Sequence, residues 1–315
     1  MGADSFTSNL GVVMMRSMGT NRPTTSLKSP ATLHRIIQGD ARDLSSIDSG
    51  TVHLVCTSPP YADLIRYPAH SGQLGNIASY EAFLEELDTV WAECLRVLVP
   101  GGRVACIVGD VCVSRRQAGR HYVLPLSADI QVRVRRLGFD VLTPIRWQKV
   151  ANIRLEASRS SRFLGKPNLP NGIVKNDLEH ILFFRKPGYR KPTPEMERLS
   201  HIPTDEYSRL FAPVWTDVTG QLRRDHPAPY PLEIPRRLIR MFSFAGDTVL
   251  DPFGGTGTTG IAALETGRNS VSIEIEPKYV DQIEARFSRL GSVVAQIDVS
   301  RPVLDDNALS SVAAG

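Results

Sequence analysis

Two short stretches of this 315-residue chain carry side chains in patterns that chemistry can use: Thr57-Ser58-Pro59-Pro60-Tyr61, and Asp251-Pro252-Phe253-Gly254-Gly255-Thr256-Gly257-Thr258-Thr259. In the first, two prolines fix φ and stiffen the backbone. They present the Ser58 hydroxyl, a main-chain carbonyl and the Tyr61 ring. Two such oxygens can accept the two hydrogens of an exocyclic amino group. The ring gives a base a flat face to stack on, worth roughly 1–3 kcal/mol. A nucleobase amine is a poor nucleophile because its lone pair is delocalised into its ring. Acceptors that draw both N–H groups out of plane would restore its reactivity toward an electrophilic methyl group. Orientation alone can supply about 7–11 kcal/mol to such a transfer. By itself, however, the tetrapeptide reads better as an ordinary Ser-Pro-Pro turn.

In the second stretch, Gly255, Gly257 and Gly260 have G-x-G-x-x-G spacing. Glycines there permit a tight turn and close approach of a ligand, and the free N–H groups of the following helix face the same point. The spacing predicts that helix over Thr258–Glu265, and an acidic residue, Glu274, follows about twenty residues after the loop. A dinucleotide would fit this pattern equally well. Asp251 tips the balance, because a carboxylate at a strand end repels a pyrophosphate but attracts an ammonium. S-adenosylmethionine offers an ammonium, a ribose diol and an adenine, and no phosphate. The candidate cofactor ligands are therefore Asp251, Phe253, Gly255, Gly257, Thr258 and Glu274.

Each stretch closes a short apolar run, residues 52–56 before the first and 248–250 before the second. Runs without alternation suit strands of a parallel sheet buried on both faces. Both loops then lie at carboxyl ends of central strands, where open α/β sheets bind ligands.

Together the two motifs resemble those of the amino-methylating DNA methyltransferases, in the β-class order with the catalytic motif first and the cofactor motif about 190 residues later. The resemblance spans residues 34–290. It implies that Ser58, Pro59, Pro60 and Tyr61 hold a base extruded from double-stranded DNA, that S-adenosylmethionine is the cofactor, and that the Ser form of the tetrapeptide favours cytosine N4 over adenine N6. It also implies that Asp40, after a strand at 35–38, approaches the cofactor's adenine amine; otherwise Asp40 is a turn residue. The segment around Pro227 and Tyr230 would lie beside the methionine end of the cofactor. A cognate restriction endonuclease is an implied partner.

Composition is that of an ordinary globular protein: 42% hydrophobic, 22% charged and a net charge of +4. With so small a net charge, nucleic-acid binding must rest on local clusters. The four cysteines (Cys56, Cys94, Cys106, Cys112) lack C-x-x-C spacing. They read as buried hydrophobes in a reducing cytoplasm, with neither a metal site nor disulfides. No apolar run reaches membrane-spanning length. Residues 1–31 are expected as a flexible tail, and Met14, Met15 or Met18 could be the true start.

Helical spacing of apolar residues over 80–98, 123–137 and 277–290 predicts helices, with Tyr279, Val280, Ile283 and Phe287 facing inward. Further strands are expected at 104–108, 140–147, 180–185 and 269–273. Residues 114–121 form a loop bearing Arg115, Arg116, Arg120 and His121. The polar run 149–166, with Arg154, Arg159, Arg162 and Lys166 against Glu156, reads as a DNA-phosphate contact. Residues 186–225 form the expected target-recognition insertion, and 291–315 a C-terminal tail. The fold expected for residues 32–290 is a doubly wound, mostly parallel α/β sheet of about seven strands. A nicotinamide-dependent oxidoreductase, an adenine-N6 or RNA methyltransferase, and a DNA-binding protein without catalysis are the competing readings.

Overall fold

A computed structural model describes residues 31–61, 72–77, 79–149, 177–220, 230–290 and 295–301. The first half runs β1 (Thr32–Gln38), β2 (Val52–Thr57), α1 (Tyr80–Val97), β3 (Leu98–Val108), β4 (Val111–Val113), α2 (Arg115–Ala118), β5 (Tyr122–Leu124), α3 (Leu126–Arg136) and β6 (Asp140–Gln148). The second runs β7 (Leu178–Arg185), α4 (Pro194–Leu199), α5 (Thr204–Leu210), β8 (Val214–Trp215), α6 (Glu233–Phe242), β9 (Thr248–Asp251), α7 (Thr258–Glu265), β10 (Asn269–Glu274), α8 (Pro277–Arg289) and β11 (Ala295–Ser300).

Nine strands form one sheet in the order β11-β1-β10-β9-β2-β3-β7-β6-β8. All pairings from β11 to β3 are parallel, β7 is antiparallel to β3 and β6, and β8 is parallel to β6. The seven expected strands are the seven from β1 to β6 in this order, and β11 and β8 extend the two edges. β11 corrects the reading of 291–315 as a tail. Its Ile297 and Val299 alternate and pack beside Ile36, Val280 and Phe287. β8 has only two residues, too few for any periodicity to show.

The apolar run of β2 is buried on both faces. Val52 and Val55 pack with Phe83, Leu87 and Trp91 of α1, whereas Leu54 and Cys56 face Ile234 and Leu238 of α6 and Ala262 of α7. A strand sandwiched between helix layers needs apolar residues at every position, which is why no alternation appears.

β2 and β9 are neighbours. The β2–α1–β3 crossover leads to one side of this pair, and β9–α7–β10 leads to the other. The chain therefore changes winding direction between them. Loops leaving the two carboxyl ends diverge and open a crevice, the usual ligand site of such sheets.

Antiparallel β7 returns the chain to the opposite edge. Residues 186–190 lie there, with Arg190 clamping Asp247, which precedes β9, through two hydrogen bonds of 2.7 Å. The first part of the insertion expected to read DNA is thus on the side of the sheet away from the crevice. It then packs as α4 and α5, and Trp215 and Val218 enter the core. Only its end returns, with Gly220 beside Lys149. Among the cysteines, Cys56, Cys94 and Cys106 are buried and Cys112 is exposed, contrary to expectation for the last.

Candidate active site

The proline loop and the glycine loop meet where β2 and β9 end. Thr57 Oγ1 donates to Asp251 Oδ1 at 2.6 Å. The same carboxylate accepts from the Phe253 N–H at 3.1 Å, and the Tyr230 hydroxyl lies 3.4 Å from its other oxygen. Tyr230 also meets Thr259 Oγ1 at 2.6 Å, and Thr259 donates to the Cys56 carbonyl. Asp251 is 1% exposed, and burial pushes its carboxyl above the usual carboxylate range. It sits beneath the crevice as the hub joining the loops, a place the expected direct ammonium contact did not anticipate.

The crevice is lined by Gly39, Asp40, Ser58, Pro60, Phe253 and Gly255, with Glu274, Ile275 and Tyr279 completing one wall. About 570 Å³ of empty space, most of it in the open mouth, lies within this lining. Asp40 comes from the end of β1, Glu274 from the end of β10, and Gln38 and Glu274 are in register. Glu274 accepts from the Gly255 N–H at 2.7 Å and the Glu276 N–H at 2.9 Å. Burial raises its carboxyl to about 7 in spite of these bonds. The Ile275 N–H also bonds this carboxyl, and of a carboxylate's roughly four acceptor positions one remains for a hydroxyl donor. Asp40 accepts from Arg42 Nε at 3.0 Å and from the Arg42 N–H at 2.9 Å, and Arg42 also reaches Glu86 at 2.7 Å.

The glycines have distinct tasks. Gly255 and Gly257 have φ of 52° and 79°, the left-handed turn that admits the chain to α7. A Cβ on Gly257 would lie 2.9 Å from Ile283 Cγ2, and one on Gly260 would lie 3.0 Å from Phe287 Cζ. The spacing therefore also seats α7 against α8. Thr258 opens α7, and its hydroxyl lies 3.4 Å from Arg286.

Tyr61 stands to the side of the crevice wall. Its hydroxyl accepts from the Gly109 N–H at 3.2 Å and lies 3.5 Å from Glu179 Oε1, which Lys149 also pairs with. These contacts hold the ring at the end of β3. Glu179 was not identified from sequence as part of the site, and Lys149 was read only as the start of the basic run 149–166, because Glu179 comes from β7 and Lys149 from the end of β6, both in the far half of the sheet. Tyr279, expected inward with Val280, Ile283 and Phe287, instead faces the crevice. Arg154, Arg159, Arg162, Lys166 and Pro227 lie outside the described residues.

A seven-strand core with one reversed strand, helices on both faces, and an open crevice at the β2/β9 reversal define a methyltransferase-type α/β fold. The DNA methylase family of N6- and N4-amino-methylating enzymes matches residues 52–285, and the chain belongs to that family. The Type II methyltransferase M.MjaI of Methanocaldococcus jannaschii is 38% identical over 81% of this chain and 91% of its own length. A candidate DNA modification methylase from Thermus thermophilus, solved complexed with S-adenosyl-L-methionine, is 46% identical. The match covers 86% of this chain and 99% of that one, with a TM-score of 0.70. The cytosine-N4-specific PvuII DNA methyltransferase shares the fold at 22% identity and a TM-score of 0.59, over 82% and 88% of the two chains. Among the described residues no helix is long and apolar enough to cross a membrane.

Proposed function

We propose that this DNA methyltransferase transfers a methyl group from S-adenosylmethionine to the exocyclic N4 amine of a cytosine flipped out of duplex DNA, at a specific sequence. The carrying observation is the union of the two loops, tied by Thr57 and Asp251 at 2.6 Å, with Ser58, Pro60, Phe253, Gly255 and Glu274 lining one crevice. The cofactor contributes a sulfonium-bound, electrophilic methyl group.

The chain's own residues supply position. Glu274 takes a ribose hydroxyl on its remaining acceptor position, Phe253 and Tyr279 flank the nucleoside, and Asp40, held by Arg42, faces the adenine amine. Asp251 places negative charge directly beneath the methionine end. Ser58 and the adjoining main-chain carbonyl accept the two amine hydrogens, and Tyr61 stacks on the base. Flipping costs a few kcal/mol, which stacking and phosphate contacts must offset. Residues 149–166, including Arg154, Arg159, Arg162 and Lys166, are the proposed phosphate contacts, and target readout is shared between that run and the end of the 186–225 insertion. A restriction endonuclease with the same recognition sequence is the expected functional partner.

The test is to incubate unmethylated plasmid with the protein and S-adenosylmethionine, digest to nucleosides and identify the product by mass spectrometry. N4-methylcytosine is expected. N6-methyladenine would transfer the assignment to the other amine. No modified base, with thermal stabilisation by NAD and none by S-adenosylmethionine, would end the proposal.

A further inference from the structure

We propose that the β4–β5 hairpin is a second DNA-backbone contact, a basic arm beside the flipped base that grips phosphates with Arg115, Arg116 and Arg120. The inference rests on the DNA-methylating function proposed above, and concerns a surface to which neither the motifs nor the resemblance assigns a role.

The arm begins where Tyr61 is anchored. The Gly109 N–H bonds the Tyr61 hydroxyl at 3.2 Å, and β4 starts two residues later. Its two feet are clasped together, because Asp110 Oδ1 accepts from the Ser127 N–H at 2.9 Å where α3 begins. Val111, Val113 and Leu124 pack on the core and fix the base of the hairpin. From there β4 and β5 pair antiparallel, Val111 with Leu124 and Val113 with Tyr122. Three residues per strand carry the tip about 10 Å outward. Because β3 is parallel to β2, the arm projects from the same edge of the sheet as the proline loop.

The tip is built to hold its shape without a core. Ser114 and Gln117 form a capping box around α2, Gly119 closes it in the left-handed region, and His121 Nδ1 lies 3.1 Å from the Val113 carbonyl. Every residue from Ser114 to His121 is exposed. Within the arm there is no acidic residue between Asp110 and Asp129.

Elsewhere among the described residues most arginines are paired with carboxylates, for example Arg42 with Asp40, Arg96 with Glu93, Arg133 with Asp88, Arg237 with Asp217 and Arg240 with Glu206. No acidic side chain among the described residues pairs with Arg115, Arg116 or Arg120. Arg120 instead lies over the Tyr122 ring at 5.2 Å. Three such guanidinium groups on a rigid exposed hairpin, next to the residue that stacks the base, suit a polyanion at that edge. Guanidinium is well matched to phosphate oxygens. The contact carries no base code, so it positions the duplex over Tyr61 rather than reading sequence.

The experiment compares wild-type protein with the Arg115→Ala/Arg116→Ala/Arg120→Ala variant, measuring binding to a cognate duplex across a salt series, KM and kcat for that DNA, and S-adenosylmethionine affinity. Each phosphate contact contributes about 0.9 to the slope of log K against log salt. Loss of the arm should lower that slope by about 2–3 and weaken duplex binding roughly tenfold or more at low salt. The loss should fall mainly on KM for DNA, cofactor affinity should stay at the wild-type value, and a triple Arg→Lys variant should recover most of the slope. An Ala variant with wild-type duplex affinity and slope would overturn the arm while leaving the methylation proposal standing. So would loss of cofactor affinity together with DNA affinity, since that marks a structural role. A wild-type protein that leaves DNA unmethylated in the presence of S-adenosylmethionine would remove both proposals.

Discussion

Thr57 and Asp251 lie 194 positions apart in sequence, yet the threonine hydroxyl donates to the buried carboxylate at 2.6 Å. This one bond fastens the loop that would hold the base to the loop that would hold the cofactor. Thr57→Val removes the donor and keeps the shape, leaving a fully buried carboxylate one partner short. A loss of about 1–3 kcal/mol in stability is expected, read by urea or thermal unfolding. Methylation should fall further than stability alone requires, because the two loops lose their mutual register. Unchanged unfolding in Thr57→Val would show that the bond is dispensable.

Tyr61 tests the base-binding role directly. Tyr61→Ala should nearly abolish methylation and leave S-adenosylmethionine affinity close to wild type, since the ring stands off the crevice wall. Tyr61→Phe keeps the stacking face and loses the hydroxyl contact with Gly109. It should retain more activity than the alanine variant, by roughly the 1–3 kcal/mol that stacking is worth. Loss of cofactor binding in Tyr61→Ala would place the ring in the wrong half of the site.

Glu274 gives the cofactor site a pH dependence. Its carboxyl is raised to about 7 by burial, so it is charged above neutrality and protonated below. Ribose hydroxyls donate better to the carboxylate, and affinity for S-adenosylmethionine should therefore rise with pH through about 7 and level off above. Calorimetric titration from about one pH unit below that value to about one and a half above checks this, and Glu274→Gln should bind more weakly with a flat profile. A flat profile in the wild type would remove Glu274 from the diol site.

Gly257 and Gly260 are expected to be intolerant for different reasons. Gly257→Ala must adopt φ of 79° and bring a methyl to 2.9 Å from Ile283, whereas Gly260→Ala keeps an ordinary φ and meets the Phe287 ring at 3.0 Å and Ser272 Oγ at 3.3 Å. Left-handed backbone costs a non-glycine residue about 1–2 kcal/mol, and overpacking adds about 1–3 kcal/mol. Gly257→Ala should be the more damaging by thermal unfolding, and the reverse order would mean that turn strain is not the controlling effect.

His34 predicts acid sensitivity of the sheet. It is fully buried between Ser270 at 2.7 Å and Thr32 at 2.9 Å, and burial lowers its pKa from 6.5 to about 4. The unfolded chain therefore binds a proton that the folded chain refuses. The stability held at pH above 6.5 is lost progressively as pH falls toward 4, by up to about 3 kcal/mol. Urea midpoints at neutral pH and at a pH just above 4 should differ by less in His34→Gln than in wild type.

The sequence by itself determined the strands and loops whose character is written locally. Apolar runs at 52–56 and 248–250 became β2 and β9, proline and glycine marked the loops, and the helix at Thr258–Glu265 starts and ends where its pattern does. The types of side chain at Ser58, Tyr61, Asp251 and Glu274 determined which chemistry could occur, and their order along the chain pointed to the family.

Only tertiary structure decided where those groups stand. Asp251 went under the crevice because Thr57, Phe253 and Tyr230 satisfy it there, and Tyr279 turned toward the crevice on a helix whose other apolar residues face the core. Antiparallel β7 sent residues 186–190 to the far edge and brought Glu179 to Tyr61. β11 acquired its place only because β1 offered an open edge. Strand order and direction fix these outcomes, and they arise from pairings between residues far apart in the chain, which no local pattern encodes.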